Sequence, residues 1–293
     1  MSFEVKRQDL FGRIGKLITK TGTIETPALL PVVNPRSLDV PPKDIFEEFK
    51  YRALITNAYL LKRYFEKDVL NLGVHRFLNY NGIIMTDSGA YQLLRYGKVQ
   101  IEPREIIQFQ MDIKTDIGVI LDIPTGWEVS RKYAEWTVKE TLERARQAIN
   151  AIGDTDILWV GPVQGGTYLD LVRKSATEIS KLPFHIYALG SPTKVMEQYL
   201  FDILVKMVMT AKLNLPIEKP LHLFGAGHPF MFPLAVALGC DLFDSASYAL
   251  YAKDDRYITE TGTERIENLK YFPCTCPVCR SLTPKDLNER NYD

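Results

Sequence analysis

Short apolar runs rich in β-branched residues alternate along the chain with longer stretches of helical period, a pattern that predicts repeated βα units around a parallel sheet. Eight such runs stand at Ala28 to Val33, Ala53 to Thr56, Gly82 to Thr86, Ile117 to Ile123, Ile157 to Val163, Phe184 to Leu189, Leu221 to Phe224 and Asp241 to Phe243. Helical stretches fall between them, at Pro42 to Lys50, Leu60 to Leu72, Pro103 to Lys114, Arg131 to Ala151, Tyr168 to Lys181, Thr193 to Leu213 and Pro229 to Leu238. Eight strands with helices between them fit an α/β fold of the closed (β/α)8 kind, a TIM barrel, better than an open doubly wound sheet. Ahead of the first run, Gly12, Gly15 and the Thr21-Gly22 turn predict a β-hairpin. No linker divides the chain, so residues 1–293 read as a single catalytic domain: a hairpin over 1–25, a barrel over 26–265 and a cysteine-bearing tail over 266–293.

In such barrels the active site is assembled at the carboxyl ends of the strands. Several runs end in a polar side chain: Asn57, Asp87, Asp122, Gln164 and Asp244. Glycines cluster at the same ends, in Gly165-Gly166, at Gly190 and in Gly225-Ala226-Gly227, where a missing side chain lets a flat ligand approach the backbone. Two carboxylates facing one pocket suit chemistry at an anomeric carbon, one attacking or stabilising the cationic centre and the other handling the leaving group's proton. Asp87 and Asp244 are the candidate pair. Each has a plainer reading: Asp244 as a helix N-cap, Asp87 as a turn former, Asp122 as a loop cap. Tyr91 and Phe224 suit stacking on a purine-like base, and suit barrel packing at least as well. Among the histidines, His222 reads as a satisfied core residue, His228 as a loop residue near the pocket rim, and His75 and His185 have no partner in sequence.

Composition changes the picture in two places. The 36 Lys and Arg balance 36 Asp and Glu, so a nucleic-acid partner must be met by a local basic patch rather than by a global field. No apolar run approaches the ~20 residues of a spanning helix, and the opening residues lack a signal-peptide core, which points to a cytoplasmic protein. Of the four cysteines, Cys240 sits alone in an apolar stretch and reads as core. The others, Cys274, Cys276 and Cys279, form Cys-x-Cys-x2-Cys, a spacing that wraps one Zn²⁺ and leaves a tetrahedral position for a further ligand. Structural zinc is the expectation, because three thiolates neutralise the metal and leave a poor Lewis acid; catalytic zinc is the rival. The fourth ligand comes from upstream, from a longer chain or from a second polypeptide.

Thr86-Asp87-Ser88-Gly89-Ala90-Tyr91-Gln92, Val163-Gln164-Gly165-Gly166, Leu221-His222-Leu223-Phe224-Gly225-Ala226-Gly227-His228-Pro229, Asp241-Leu242-Phe243-Asp244-Ser245-Ala246-Ser247-Tyr248-Ala249 and the cysteine motif together resemble tRNA-guanine transglycosylases. Pro31-Val32-Val33-Asn34-Pro35 resembles the archaeal branch. The resemblance implies that a guanine of the tRNA D-arm is exchanged for 7-cyano-7-deazaguanine (preQ0) through a covalent ribosyl-enzyme, on the way to archaeosine. By the same resemblance Asp244 is the nucleophile and Asp87 the second aspartate, with Ser88 beside it. Asp122 and Gln164 are implied to hydrogen-bond the base edge, Leu189-Gly190 to contact it through the backbone, and Tyr91 and Phe224 to stack on it. Zinc, tRNA and a homodimer around the zinc region are implied as well. The family's zinc histidine and its C-terminal RNA-binding modules, including the PUA domain, have no counterpart within the chain, which implies a separate RNA-binding subunit or a fragment. Three departures touch the base pocket: Ala90 where the archaeal pattern has Ser, a more bacterial Gln164-Gly165-Gly166, and Ser191-Pro192-Thr193 in place of a Gly- and Val-containing stretch. Two rival functions stay open at this point: a nucleoside or glycoside hydrolase on the same barrel, and a non-catalytic tRNA-binding subunit.

Overall fold

The computed structural model describes residues 2–90 and 101–287. Strands β1 (Ser2–Asp9), β2 (Gly12–Ile18) and β3 (Thr23–Thr26) form an antiparallel sheet in that order. The expected hairpin is present, and β2 pairs along both edges, so a third strand joins it. Buried and open positions alternate along β2, as they must when one face covers a core and the other meets water.

Eight parallel strands follow: β4 (Ala28–Val33), β5 (Ala53–Asn57), β6 (Ile83–Asp87), β7 (Ile117–Val119), β8 (Leu158–Val163), β9 (Ile186–Leu189), β10 (Leu221–Leu223) and β11 (Leu242–Ser245). They close into a barrel in the order β10-β11-β4-β5-β6-β7-β8-β9, with β9 pairing β10 to complete the ring. Each strand falls within a residue or two of its apolar run, except β7, where pairing stops at Val119 and the chain continues irregularly toward Asp122. All six residues of β8 are buried because both faces of the sheet are covered. Alternation decides which face each residue serves. Ala53, Ile55, Ile83, Met85, Val160 and Ile186 pack together inside the ring, closed from below by Leu17 and Ile24 of the small sheet. Leu54 and Ile84 point outward onto Leu61, Val69 and Ile106 of the helical layer.

The helix Arg131–Ile152 illustrates that layer. Ser130 caps it by accepting a bond from the Tyr133 N–H, and Ala134, Val138, Leu142, Ala145 and Ala148 recur at helical spacing on its buried face. Sequence periodicity fails over Thr193 to Leu213, where two helices stand instead of one, Thr193–Glu197 and Phe201–Lys212. Tyr199 between them takes a left-handed backbone (φ 56°), and its ring meets those of Phe201 and Phe230. The last helical stretch begins as a 3₁₀ turn, Pro229–Met231, before the helix Phe232–Ala237. In the tail, the hairpin β12 (Arg256–Ile258) and β13 (Thr263–Arg265) leads to the short helix Pro277–Ser281. Tyr257, Val278 and Leu287 form a small separate core there, with the Tyr257 and Phe272 rings stacked 5.3 Å apart.

A buried ion pair ties the small sheet to the barrel. Arg13 of β2 donates from Nε and Nη2 to the two oxygens of Asp241 at 2.7 and 2.8 Å. Asp241 Oδ2 also accepts the Leu221 N–H at 2.8 Å, and the Arg13 guanidinium reaches the carbonyls of Ile217 and Lys219. Both side chains are nearly inaccessible, 2% and 0%. A buried pair broken on one side leaves an uncompensated charge, which costs about 3–5 kcal/mol. Asp241→Ala therefore lowers the free energy of unfolding by that much, read as a lower urea midpoint at an unchanged m-value, whereas Arg13→Met/Asp241→Leu recovers most of the loss; a single variant within about 1 kcal/mol of the parent contradicts this assignment.

Candidate active site

The barrel register brings the polar strand ends together. Asn57 closes β5 and sits opposite Asp87, which closes β6. The Asn57 side chain works twice: Oδ1 accepts the Leu60 N–H as the cap of the helix Ala58–Leu72, and Nδ2 donates to Asp87 Oδ2 at 2.9 Å. On the next staves, Asp122 follows β7 and Gln164 follows β8, and Gln164 Nε2 donates to Asp122 Oδ2 at 2.5 Å. Across the ring, Asp244 lies in β11 beside His222 of β10.

Asp122 and Asp244 both act on Asp87 at this buried mouth. Burial first, then the charges of Asp122 and Asp244, push Asp87 up to about 7, against the opposing N–H groups of Gly89 and Ser88. Burial likewise pushes Asp122 up to about 6, partly offset by the Gln164 hydrogen bond and the Arg144 charge. Asp87 is thus a carboxyl group able to hold and release a proton near neutrality.

Asp244 is placed differently. Its Oδ1 accepts from His222 Nε2 at 2.9 Å and from the Gly225 N–H at 3.1 Å. The helix Ser247–Lys253 that follows starts from Ala246 without a side-chain cap, so Asp244 is not its N-cap. His222 is as buried as a core reading requires, but its bond goes to Asp244, and it was missed as a site residue. Its Nδ1 has no partner among the described residues, and the hydrogen bond to the carboxylate places a proton on Nε2. Phe224 lies 4.7 Å from the His222 ring. A lone apolar-flanked histidine carries no sign of this role, because the partner stands 22 residues away on the adjoining strand.

The remaining candidates divide. Ser88 is fully buried, and its Oγ has no partner among the described residues. The Gly190 N–H pairs with the Val163 carbonyl at 2.9 Å, and Leu189 O accepts the Phe224 N–H at 3.4 Å. A Cβ at Gly190 would stand 2.2 Å from Gln164 Nε2, so this glycine makes room for the amide. Tyr91 lies outside the described residues. His228 binds the Gly262 carbonyl and Thr263 Oγ1, tying the loop after β10 to the β12–β13 hairpin. His75 finds Asp116, and His185 Nδ1 accepts the Trp159 N–H; both lie away from the mouth. In the tail, the sulfurs of Cys274, Cys276 and Cys279 lie within 4.8 Å of one another, a set able to hold a metal ion. Backbone N–H groups of Cys276 and Cys279 point at the sulfurs of Cys274 and Cys276, both at 3.3 Å. Cys240 is buried core, as expected.

These features define a (β/α)8 barrel whose mouth is built on carboxylates and which carries a three-cysteine tail. The chain belongs to the queuine tRNA-ribosyltransferase family, whose model matches residues 9–291. It is 49% identical to a tRNA-guanine(15) transglycosylase of Thermococcus kodakarensis over 98% of its own length and 49% of that protein's. It is 49% identical to one of Aeropyrum pernix, covering 98% and 56%, and 50% identical to one of Pyrobaculum aerophilum, covering 100% and 59%. The chain thus spans roughly half of the length of the curated relatives it matches. Among the described residues, no helix is long and apolar enough to cross a membrane.

The raised pKa of Asp87 makes a stability prediction. Its folded value, about 7, lies above the 3.8 of an ordinary aspartate, so the native state holds the extra proton between them. The contribution is complete below that lower value and is lost as pH rises through the upper one. Asp87→Asn accordingly melts above the parent at pH 8, and the difference closes as pH falls toward 4; parallel melting curves across that range contradict the shift.

Proposed function

We propose that the chain is the catalytic barrel of a tRNA-guanine transglycosylase, exchanging guanine at position 15 of the tRNA D-arm for preQ0. The observation that carries this reading is the asymmetry of Asp244: Oδ1 is engaged by His222 and Gly225, and Oδ2, which has no hydrogen-bond partner among the described residues, is the oxygen left to attack. Oδ2 forms a bond to the ribose C1′ as the bond to guanine N9 breaks, and the electron pair leaves with the base. Asp87, holding a proton near neutrality, protonates the departing guanine and then accepts the proton of the incoming deazaguanine. The reading takes Asp122 and Gln164 as the base-edge contacts, with Leu189-Gly190, Ser88, Phe224 and Tyr91 around the ring. A target base must leave its stack to reach such a pocket. The same reading includes a cytoplasmic setting, a homodimer and a PUA-type RNA-binding subunit as partner.

Zn²⁺, one per chain, fits the donor set of three thiolates. Cys274, Cys276 and Cys279 hold it, and its part is to cross-link a tail whose own core is only Tyr257, Val278, Leu287 and their neighbours.

Labelled guanine is incorporated into unmodified tRNA by the zinc-loaded protein, and Asp244→Ala lowers this by roughly a thousandfold or more. Release of free guanine without incorporation contradicts exchange and favours a hydrolase. For the tail, elemental analysis finds one zinc per chain, and chelation exposes three reactive thiols and lowers the melting temperature. A purified chain that folds and melts identically with and without zinc contradicts the structural role.

A further inference from the structure

The base-edge amide of Gln164 is held from behind by a residue with no counterpart in the expected glycine-containing stretch. Ser191 Oγ donates to Gln164 Oε1 at 3.0 Å and accepts the Gly126 N–H at 3.1 Å. Thr125 adds its N–H at 3.0 Å and its hydroxyl at 3.2 Å to the same amide oxygen. A backbone N–H only donates, so the oxygen must face Thr125, and the amide cannot turn over without confronting donor with donor. One hydrogen of Nε2 goes to Asp122, and the other is all that the side chain can offer a ligand.

The backbone of Ser191 sharpens the point. Its φ is 63°, in the left-handed region, where serine is strained and glycine is at ease. Glycine would be the unstrained choice, and of what serine adds to it the Cβ brings the strain and the hydroxyl brings the hydrogen bonds. That hydroxyl joins three loops, those after β7, β8 and β9, which are far apart in sequence.

We infer that Ser191 is a positioning residue for base recognition: it bridges Gly126 and Gln164 and so holds in place the amide whose orientation the Thr125 N–H fixes, with an N–H of Gln164 toward the bound base. The pocket then selects a ligand with a carbonyl-type acceptor opposite Gln164 and disfavours a 6-amino purine at that place. The inference rests on the base-pocket reading above for the identity of the ligand, and on the hydrogen bonds alone for the lock itself.

Stability and recognition should separate in two variants. Ser191→Gly removes the hydroxyl and relieves the backbone, while Ser191→Ala removes the hydroxyl and keeps the strain. Both raise the KM for guanine by roughly 5-fold to 10-fold, the worth of a lost hydrogen bond, with kcat changed by less than about twofold. Ser191→Gly does so while melting at or above the parent temperature, and Ser191→Ala while melting below Ser191→Gly. A merely structural Ser191 predicts the opposite for glycine, a KM equal to the parent's, and that result overturns the inference. Hydrogen exchange at the Thr125 and Gly126 amides reads the lock without any substrate. It quickens in both variants if Ser191 holds that loop, and unchanged exchange overturns the inference whether or not the parent exchanges guanine. A parent that neither binds nor incorporates guanine, with exchange quickened in both variants, would refute the proposed function and leave the lock standing.

Discussion

Asp87, Asp122 and Asp244 gather at one end of a closed barrel, and the cost of burying their charges shapes everything around them. Neighbours answer that cost differently at each position. Asp244 keeps two donors on one oxygen, Asp122 is braced by Gln164 with Arg144 nearby, and Asp87 is driven toward holding its proton. The proposed roles, Asp244 as nucleophile and Asp87 as acid-base partner, rest on the two donors held by Asp244 Oδ1 and on the proton that burial favours on Asp87.

Holding the three in place is the task of the fold. The Asn57–Asp87 and Leu30–Asp244 registers are fixed by barrel closure, and closure is reinforced below by Arg13 on Asp241. Asp241 and Asp244 belong to one short segment, the first at the foot of β11 and the second near its top, so the ion pair that anchors the barrel lies three residues from the proposed nucleophile. Glycines at Gly190 and Gly225 serve the mouth directly, one by clearing space for Gln164 and the other by presenting its N–H to Asp244.

The eight strands were readable because strands covered on both faces need continuous apolar runs, and Leu158–Val163 or Ala53–Asn57 can hardly be anything else. The polar residues that end several of the runs, Asn57, Asp87, Asp122, Gln164 and Asp244, marked the mouth, because barrel sites form at the carboxyl ends of the strands. What sequence could not show was pairing across the ring. His222 looks like core because it is core; its partner Asp244 is disclosed only by the β10–β11 register. Asn57 was visible as a strand end, but its contact with Asp87 is a property of β5 lying beside β6. Ser191 registered only as a departure from a familiar pattern, and its meaning appears once Gly126 and Gln164 are beside it. The helix break at Tyr199 was hidden because its apolar spacing continues across the break, and the turn is stabilised by Phe230 from another unit.

The central claim is that Asp244 Oδ2 attacks the ribose and forms a covalent bond. Mass spectrometry of the protein mixed with unmodified tRNA in the absence of free base, quenched in acid and digested, addresses it most directly. The account predicts a ribonucleotide adduct on the peptide containing Asp244, absent from Asp244→Asn and discharged when guanine is added before the quench. Guanine exchange proceeding with no adduct on that peptide, or with the adduct on Asp87, would contradict it.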